Sequence, residues 1–209
     1  MSRSLKSYIE QEILPMYDAF DLAHRREHAF SVIERSVKLA KMLGENVQMA
    51  YAAAAFHDLG LAEDRETHHI ISGRIIRGDK FLLQWFTAEQ IETIAQAAED
   101  HRASAKNPPR SVYGKILAEA DRDLNPETVI ARCVQYELSH NSALPIEEQI
   151  RNVMKHLHEK YGRGGYIRLY IPGSENEKNL KAIHSMLDSA ENTMSAVKKA
   201  FLAEKSAEH

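Results

Sequence analysis

A single cysteine, Cys133, stands among 209 residues. An intramolecular disulfide is therefore excluded, and so low a cysteine content fits a reducing compartment. Long apolar runs are also missing. The longest nearly unbroken one, Met49–Phe56, falls far short of a bilayer span. The first residues lead into an amphipathic pattern rather than the apolar centre of a signal peptide. Positive charge is not in surplus either. Lys and Arg number 27 against 30 Asp and Glu, a formal net charge of −3, which argues against general nucleic-acid binding. No internal repeat or low-complexity tract interrupts the chain. The expectation is a soluble cytoplasmic protein with no membrane or nucleic-acid partner.

Strand-like sequence is nearly absent as well. Tyr166–Ile171 is the one run of that texture, placing a short hairpin or extended segment near 166–171. Helical spacing dominates the rest. Leu5, Tyr8, Ile9, Ile13 and Tyr17 share one face, with Pro15 bending or splitting that helix. Further helices are expected from about 24 to 43, 47 to 58 and 67 to 77. Thr87 and Gln90 have capping-box spacing and open another to about His101. Ser111, Asn125 and Pro145 start helices reaching about 121, 138 and 161. Ser174 caps a final long amphipathic helix. Its apolar residues Leu180, Ile183, Leu187, Ala190, Met194, Val197 and Phe201 form a heptad seam. Packing along the protein's own body and pairing in a homodimer would both satisfy that seam. The fold class is all-α, read as a core over 1–140 and a C-terminal extension over 141–209 packed on the same domain. Gly162–Gly165 lacks the strand before and helix after that a phosphate loop needs, and reads as a hinge.

The chemistry gathers around Ala52–Gly60. Four alanines let neighbouring helices approach closely, so this helix belongs at the centre of the domain. Gly60 is placed where a helix end favours positive φ, which puts His57 and Asp58 in the last turn. An imidazole and a carboxylate at the end of a buried helix call for a metal ion. If that end is exposed, water suffices. Two other helices tip the balance. Ile91, Ile94 and Ala98 step by three and four, and the next step lands on His101; Tyr113 and Leu117 lead likewise to Asp121. A lone inward histidine is commonly a hydrogen-bonded core residue. An inward aspartate on an apolar stripe needs a cation.

The order His28, His57-Asp58, Asp121, each near the end of a separate helix, resembles the HD-domain superfamily of metal-dependent phosphohydrolases. The local contexts REH at 26–28, AAFHDLG at 54–60 and ILAEADR at 116–122 are similar too. The resemblance spans roughly 20–125 and implies an HD-domain-like helical bundle. It also implies metal ligands at His28, His57, Asp58 and Asp121. His68 (or His69) and His101 match positions that hold a second metal or contact phosphate in some relatives. In the guanosine-tetraphosphate hydrolase branch a Glu-Asp pair follows the doublet after two residues. Here Glu63-Asp64 comes after four.

Mixed nitrogen and oxygen ligands suit Mn, Fe, Co, Ni or Zn better than Mg. An open coordination site would activate water for attack on phosphorus, with Asp58 as ligand and proton acceptor. His68 and His101 would act on the phosphoryl oxygens if they hold no second ion. Arg102, Lys106, Arg110 and Arg122 suit an anionic substrate, though they also read as an ordinary solvated group. His24, four residues before His28, reads equally as lining the same face or as a surface residue, and stays outside the ligand set. The expected function is hydrolysis of a phosphate ester or phosphoanhydride of a small metabolite, a nucleotide first. A di-iron oxygenase using His68 and His101, or a nucleotide-binding module without turnover, are the alternatives.

Overall fold

A computed structural model describes residues 3–20, 25–103 and 105–207. The chain divides into two compact units, Met1–Arg122 and Asp123–His209. Among the described residues there are ten α-helices and no strand.

The first unit begins with α1 (Leu5–Tyr8), capped by the Ser4 hydroxyl. Pro15 cannot donate to the carbonyl of Gln11 and its ring collides with it. The expected split follows: the helix widens to a π turn over Ile9–Ile13, then tightens to a 3₁₀ turn over Leu14–Ala19. Helix α2 (Arg26–Leu43) ends at Gly44, whose φ of 72° is the left-handed conformation glycine adopts freely. Asn46 then caps α3 (Val47–Phe56), accepting from the N–H groups of Gln48 and Met49. Seven of the ten α3 residues are buried, five of them without interruption from Ala52 to Phe56. Side chains this small let α2, α5 and α6 close on the helix from several sides, so it is the axis of the unit. Helix α4 (His68–Gly78), α5 (Ala88–Asp100) and α6 (Val112–Asp121) complete the unit. The Thr87–Gln90 capping box and the Ser111 cap form as expected.

Gly60 differs from expectation. Helix α3 stops at Phe56, and Gly60 lies inside a 3₁₀ turn, Leu59–Ala62, without positive φ. What requires glycine is crowding: a Cβ there would sit 2.1 Å from the His68 carbonyl oxygen. The missing side chain lets the start of α4 press against the end of the doublet.

The second unit packs α7 (Pro126–Asn141), α8 (Ile146–Tyr161), α9 (Glu175–Leu187) and α10 (Ala190–Ala207) around Val134, Val153, Leu157, Ile183, Val197 and Phe201. The single long C-terminal helix is thus two helices. The Ser189 hydroxyl accepts from the Asn192 N–H, and buried Thr193 donates to the carbonyls of Met186 and Ser189. That local polar set ends one helix and starts the next, so Ala190 and Met194 leave the seam and are exposed. Residues 166–171 form no hairpin. The N–H groups of Tyr166 and Ile167 donate to the Glu159 and Lys160 carbonyls at the end of α8, and Ile167 and Ile171 are buried. With no partner strand, an extended run satisfies its backbone where it can.

Candidate metal centre

Six side chains converge from the ends of five helices. His28 lies in the first turn of α2, His57 follows α3 with Asp58 behind it, and His68 opens α4. His101 follows α5, and Asp121 is the last residue of α6. Helix ends suit this task because they present side chains from rigid elements while their chain directions differ. Asp58 is the hub. Its Oδ2 lies 3.1 Å from His57 Nε2 and 3.6 Å from His28 Nε2. Its Oδ1 lies 3.4 Å from His68 Nε2 and 3.5 Å from His101 Nε2. Asp121 Oδ1 joins the first group, 3.2 Å from His28 Nε2 and 3.6 Å from His57 Nε2. Two sets of donors therefore share one carboxylate: His28, His57 and Asp58 on one side, Asp58, His68 and His101 on the other.

The histidine tautomers show what these donors want. The carbonyls of Ala54, Arg65 and Ala98 accept from Nδ1 of His57, His68 and His101, at 2.8, 2.8 and 2.6 Å. A carbonyl can only accept, so Nδ1 carries the proton and Nε2 presents a lone pair. Those Nε2 atoms then face one another: His57 and His28 are 3.3 Å apart, and so are His68 and His101. For His68 and His101, two lone pairs at that distance require a cation or a proton between them. A histidine whose second nitrogen is fixed by a backbone carbonyl is also the usual arrangement of a metal ligand. The electrostatics agree. Burial opposes charge on His57, but Asp58 and Asp121 outweigh it and raise its pKa well above the ordinary value. Burial likewise opposes ionisation of Asp58 and Asp121, and the surrounding imidazoles hold both carboxyls well below theirs. Lacking an ion, the cluster would trap protons in its place.

Residues 25–125 match the HD domain family model. The first unit carries an HD domain. HD domains bind divalent metals and belong to metal-dependent phosphohydrolases, and this donor set fits a divalent cation. A crystal structure of a predicted HD superfamily hydrolase from an uncultured Thermotogales bacterium is 24% identical, with a TM-score of 0.49. The match covers 73% of this chain and 90% of that one. No curated protein matches the chain.

Within the HD domain, His68 rather than His69 faces Asp58. His69 is half-buried, and burial together with the charge of Arg102 pushes its pKa down to about 4. The basic group is dispersed. Arg102 donates to the Glu66 carbonyl at 2.6 Å, Arg110 pairs with Glu99 and Asp100, and Lys106 is exposed. Arg122 is only 6% exposed and donates to the Ala118 carbonyl at 2.6 Å, bracing the helix end that carries Asp121. His24 lies outside the described residues, as does His209.

Two supporting features went unnoticed in the sequence. Buried Tyr17 accepts from the Asp58 N–H at 3.3 Å and donates to the Ala55 carbonyl at 3.0 Å, fixing the backbone of the doublet. Asp64 accepts from the N–H and hydroxyl of Thr67, at 2.8 and 2.5 Å, just before His68. An aspartate three residues ahead of a threonine is a turn signal that could have been read.

Proposed function

We propose that this HD domain is a phosphohydrolase acting on a small phosphorylated metabolite of the nucleotide class, in which the two donor sets that share Asp58 would hold two divalent ions. The observation that carries the reading is the opposed orientation of the Asp58 oxygens, one toward His28 and His57, the other toward His68 and His101. His28, His57, Asp58 and Asp121 would hold one ion, and Asp58, His68 and His101 would hold the other. Bound divalent ions lower the pKa of water and neutralise charge gathering on phosphoryl oxygens. Mixed nitrogen and oxygen donors favour Mn, Fe, Co, Ni or Zn over Mg. Both Asp58 oxygens are committed to the imidazoles, so we assign it to holding the ions rather than to accepting a proton. The carbonyls behind His57, His68 and His101 keep each ring in its donor tautomer. Arg102 steadies the residues ahead of His68 from its place beside His101, and exposed Lys106 is free to meet an anionic substrate.

The test is release of phosphate and pyrophosphate from a panel of nucleotides and phosphorylated metabolites, using manganese-loaded wild type beside Asp58→Ala. Turnover lost in the variant is the expected result. The second histidine pair also favours one other reading, oxygen-dependent cleavage by a di-iron pair. Silence across the panel with metal bound, together with oxygen consumption by the iron-loaded protein, would replace the first reading with the second.

A further inference from the structure

Helix α6 has to end where Asp121 can reach His28 and His57, yet its end has no glycine-type cap. The last carbonyls of a helix have no partner within it. Arg122 follows α6 in extended backbone, φ −82° and ψ 116°, so the chain does not turn back on those carbonyls as it does at Gly44. Ala118 and Ala120 are 0% and 1% exposed, too buried for water to serve instead. Two guanidiniums take that place. Arg122 Nη1 donates to the Ala118 carbonyl and Arg35 Nε to the Ala120 carbonyl, each at 2.6 Å.

The two contacts are not equivalent. Arg122 adjoins Asp121 in the chain and moves with it. Arg35 is 85 residues away from Ala120, half-buried on α2 and seven positions after His28. Seven residues make two helical turns, so His28 and Arg35 share one face of α2, about 10 Å apart along its axis. That face grips the end of α6 twice. His28 Nε2 meets the Asp121 carboxylate at 3.2 Å, and Arg35 holds the carbonyl of the preceding residue. Resting on the metal reading of the His–Asp cluster, we infer that Arg35 is a positioning residue for Asp121. It acts through the Ala120 backbone, fixing α6 on α2 where Asp121 Oδ1 lies 3.2 Å from His28 and 3.6 Å from His57. Metal–ligand distances tolerate only about 0.2 Å, so a fraying helix end would withdraw this carboxylate from its ion. The donor set of Asp58, His68 and His101 includes no residue of α6 and does not depend on the contact.

The experiment is titration of the full chain with manganese, the free ion being read by electron paramagnetic resonance. Wild type is compared with Asp121→Asn, Arg35→Met and Arg35→Gln. Methionine keeps the length of the side chain and loses the donor, whereas glutamine sets an amide N–H at the same bond count as Arg35 Nε. Arg35→Met should behave like Asp121→Asn, with one ion about tenfold weaker, the lower end of what losing an outer-shell partner costs, and the other ion unchanged. Arg35→Gln should bind both ions as wild type does. Wild-type binding of both ions by Arg35→Met overturns the inference. Equal weakening of both ions overturns it too, because that marks a general loss of folding, as does Arg35→Gln binding no better than Arg35→Met. A second arm works without metal. Hydrogen exchange in EDTA should be faster over 112–121 in Arg35→Met than in wild type and unchanged over 88–101; equal exchange over 112–121 overturns the inference. If wild type binds no manganese, the metal reading fails by itself, and the exchange arm still decides whether Arg35 holds the end of α6.

Discussion

Asp58 and Asp121 have the same chemistry and unequal positions, which makes them a discriminating pair. Asp121 reaches only the His28–His57 side, whereas Asp58 reaches both sides. Asp121→Asn should therefore weaken one ion and spare the other, while Asp58→Asn should lose both. Metal analysis after gel filtration reads this directly, and equal losses in the two variants would contradict the bridging role. Cys133 gives a second check at this scale. Burial pushes its thiol up to about 11, so little thiolate forms near neutral pH. We expect slow labelling by iodoacetamide in the folded protein and fast labelling in denaturant; fast labelling of the native chain would count against this packing of α7. Individual ligands were partly legible in the sequence, since His101 and Asp121 continue apolar stripes of three-and-four spacing. The shared carboxylate was not. It depends on which oxygen faces which histidine, and no periodicity encodes that.

Among the elements, the contact between the Leu59–Ala62 turn and α4 is the tightest constraint on the centre. Gly60→Ala would drive a methyl into the His68 carbonyl, so the first turn of α4 must move and carry His68 away from Asp58. The expected outcome is selective loss of the His68–His101 ion and a destabilisation of about 2–4 kcal/mol, in the range of overpacked cores. A variant with unchanged melting temperature and metal content would refute the close approach. Helices α4 and α5 are also joined by charge. Hydrogen bonds from Arg77 pull the Glu92 carboxyl down to about 2. A depressed carboxylate stabilises the fold above its unfolded pKa, near 4.3. That contribution fades as pH falls toward 2. The pair is solvent-exposed, so Glu92→Gln should cost at most about 1 kcal/mol at pH 7. Its deficit relative to wild type should shrink steadily in melts between pH 4.5 and 2. The capping residues of α5, α6, α7 and α9 were readable because each needs only a side chain three residues from its partner. The break between α9 and α10 was hidden, because heptad spacing runs on unchanged through Ser189 while the Thr193 hydroxyl turns the chain.

At the level of the whole molecule, every proposed ligand falls within Met1–Arg122 and none within Asp123–His209. Ions that bind only the folded state stabilise what they bind, by an amount set by concentration over Kd. Their removal should therefore act unevenly along the chain. Without ions, the facing Nε2 atoms and the buried carboxylates must share protons, and the ends of α3, α5 and α6 lose the common anchor that draws them together. Hydrogen exchange with and without EDTA measures this by segment. We expect faster exchange over 47–62, 88–101 and 112–121, and unchanged exchange over 126–161 and 175–207. Excess manganese should restore protection to the first group. An equal increase everywhere would mean that the ions stabilise the chain as one cooperative unit. No change anywhere would mean that the His–Asp cluster holds itself together by protons and hydrogen bonds, and the metal reading would lose its physical basis.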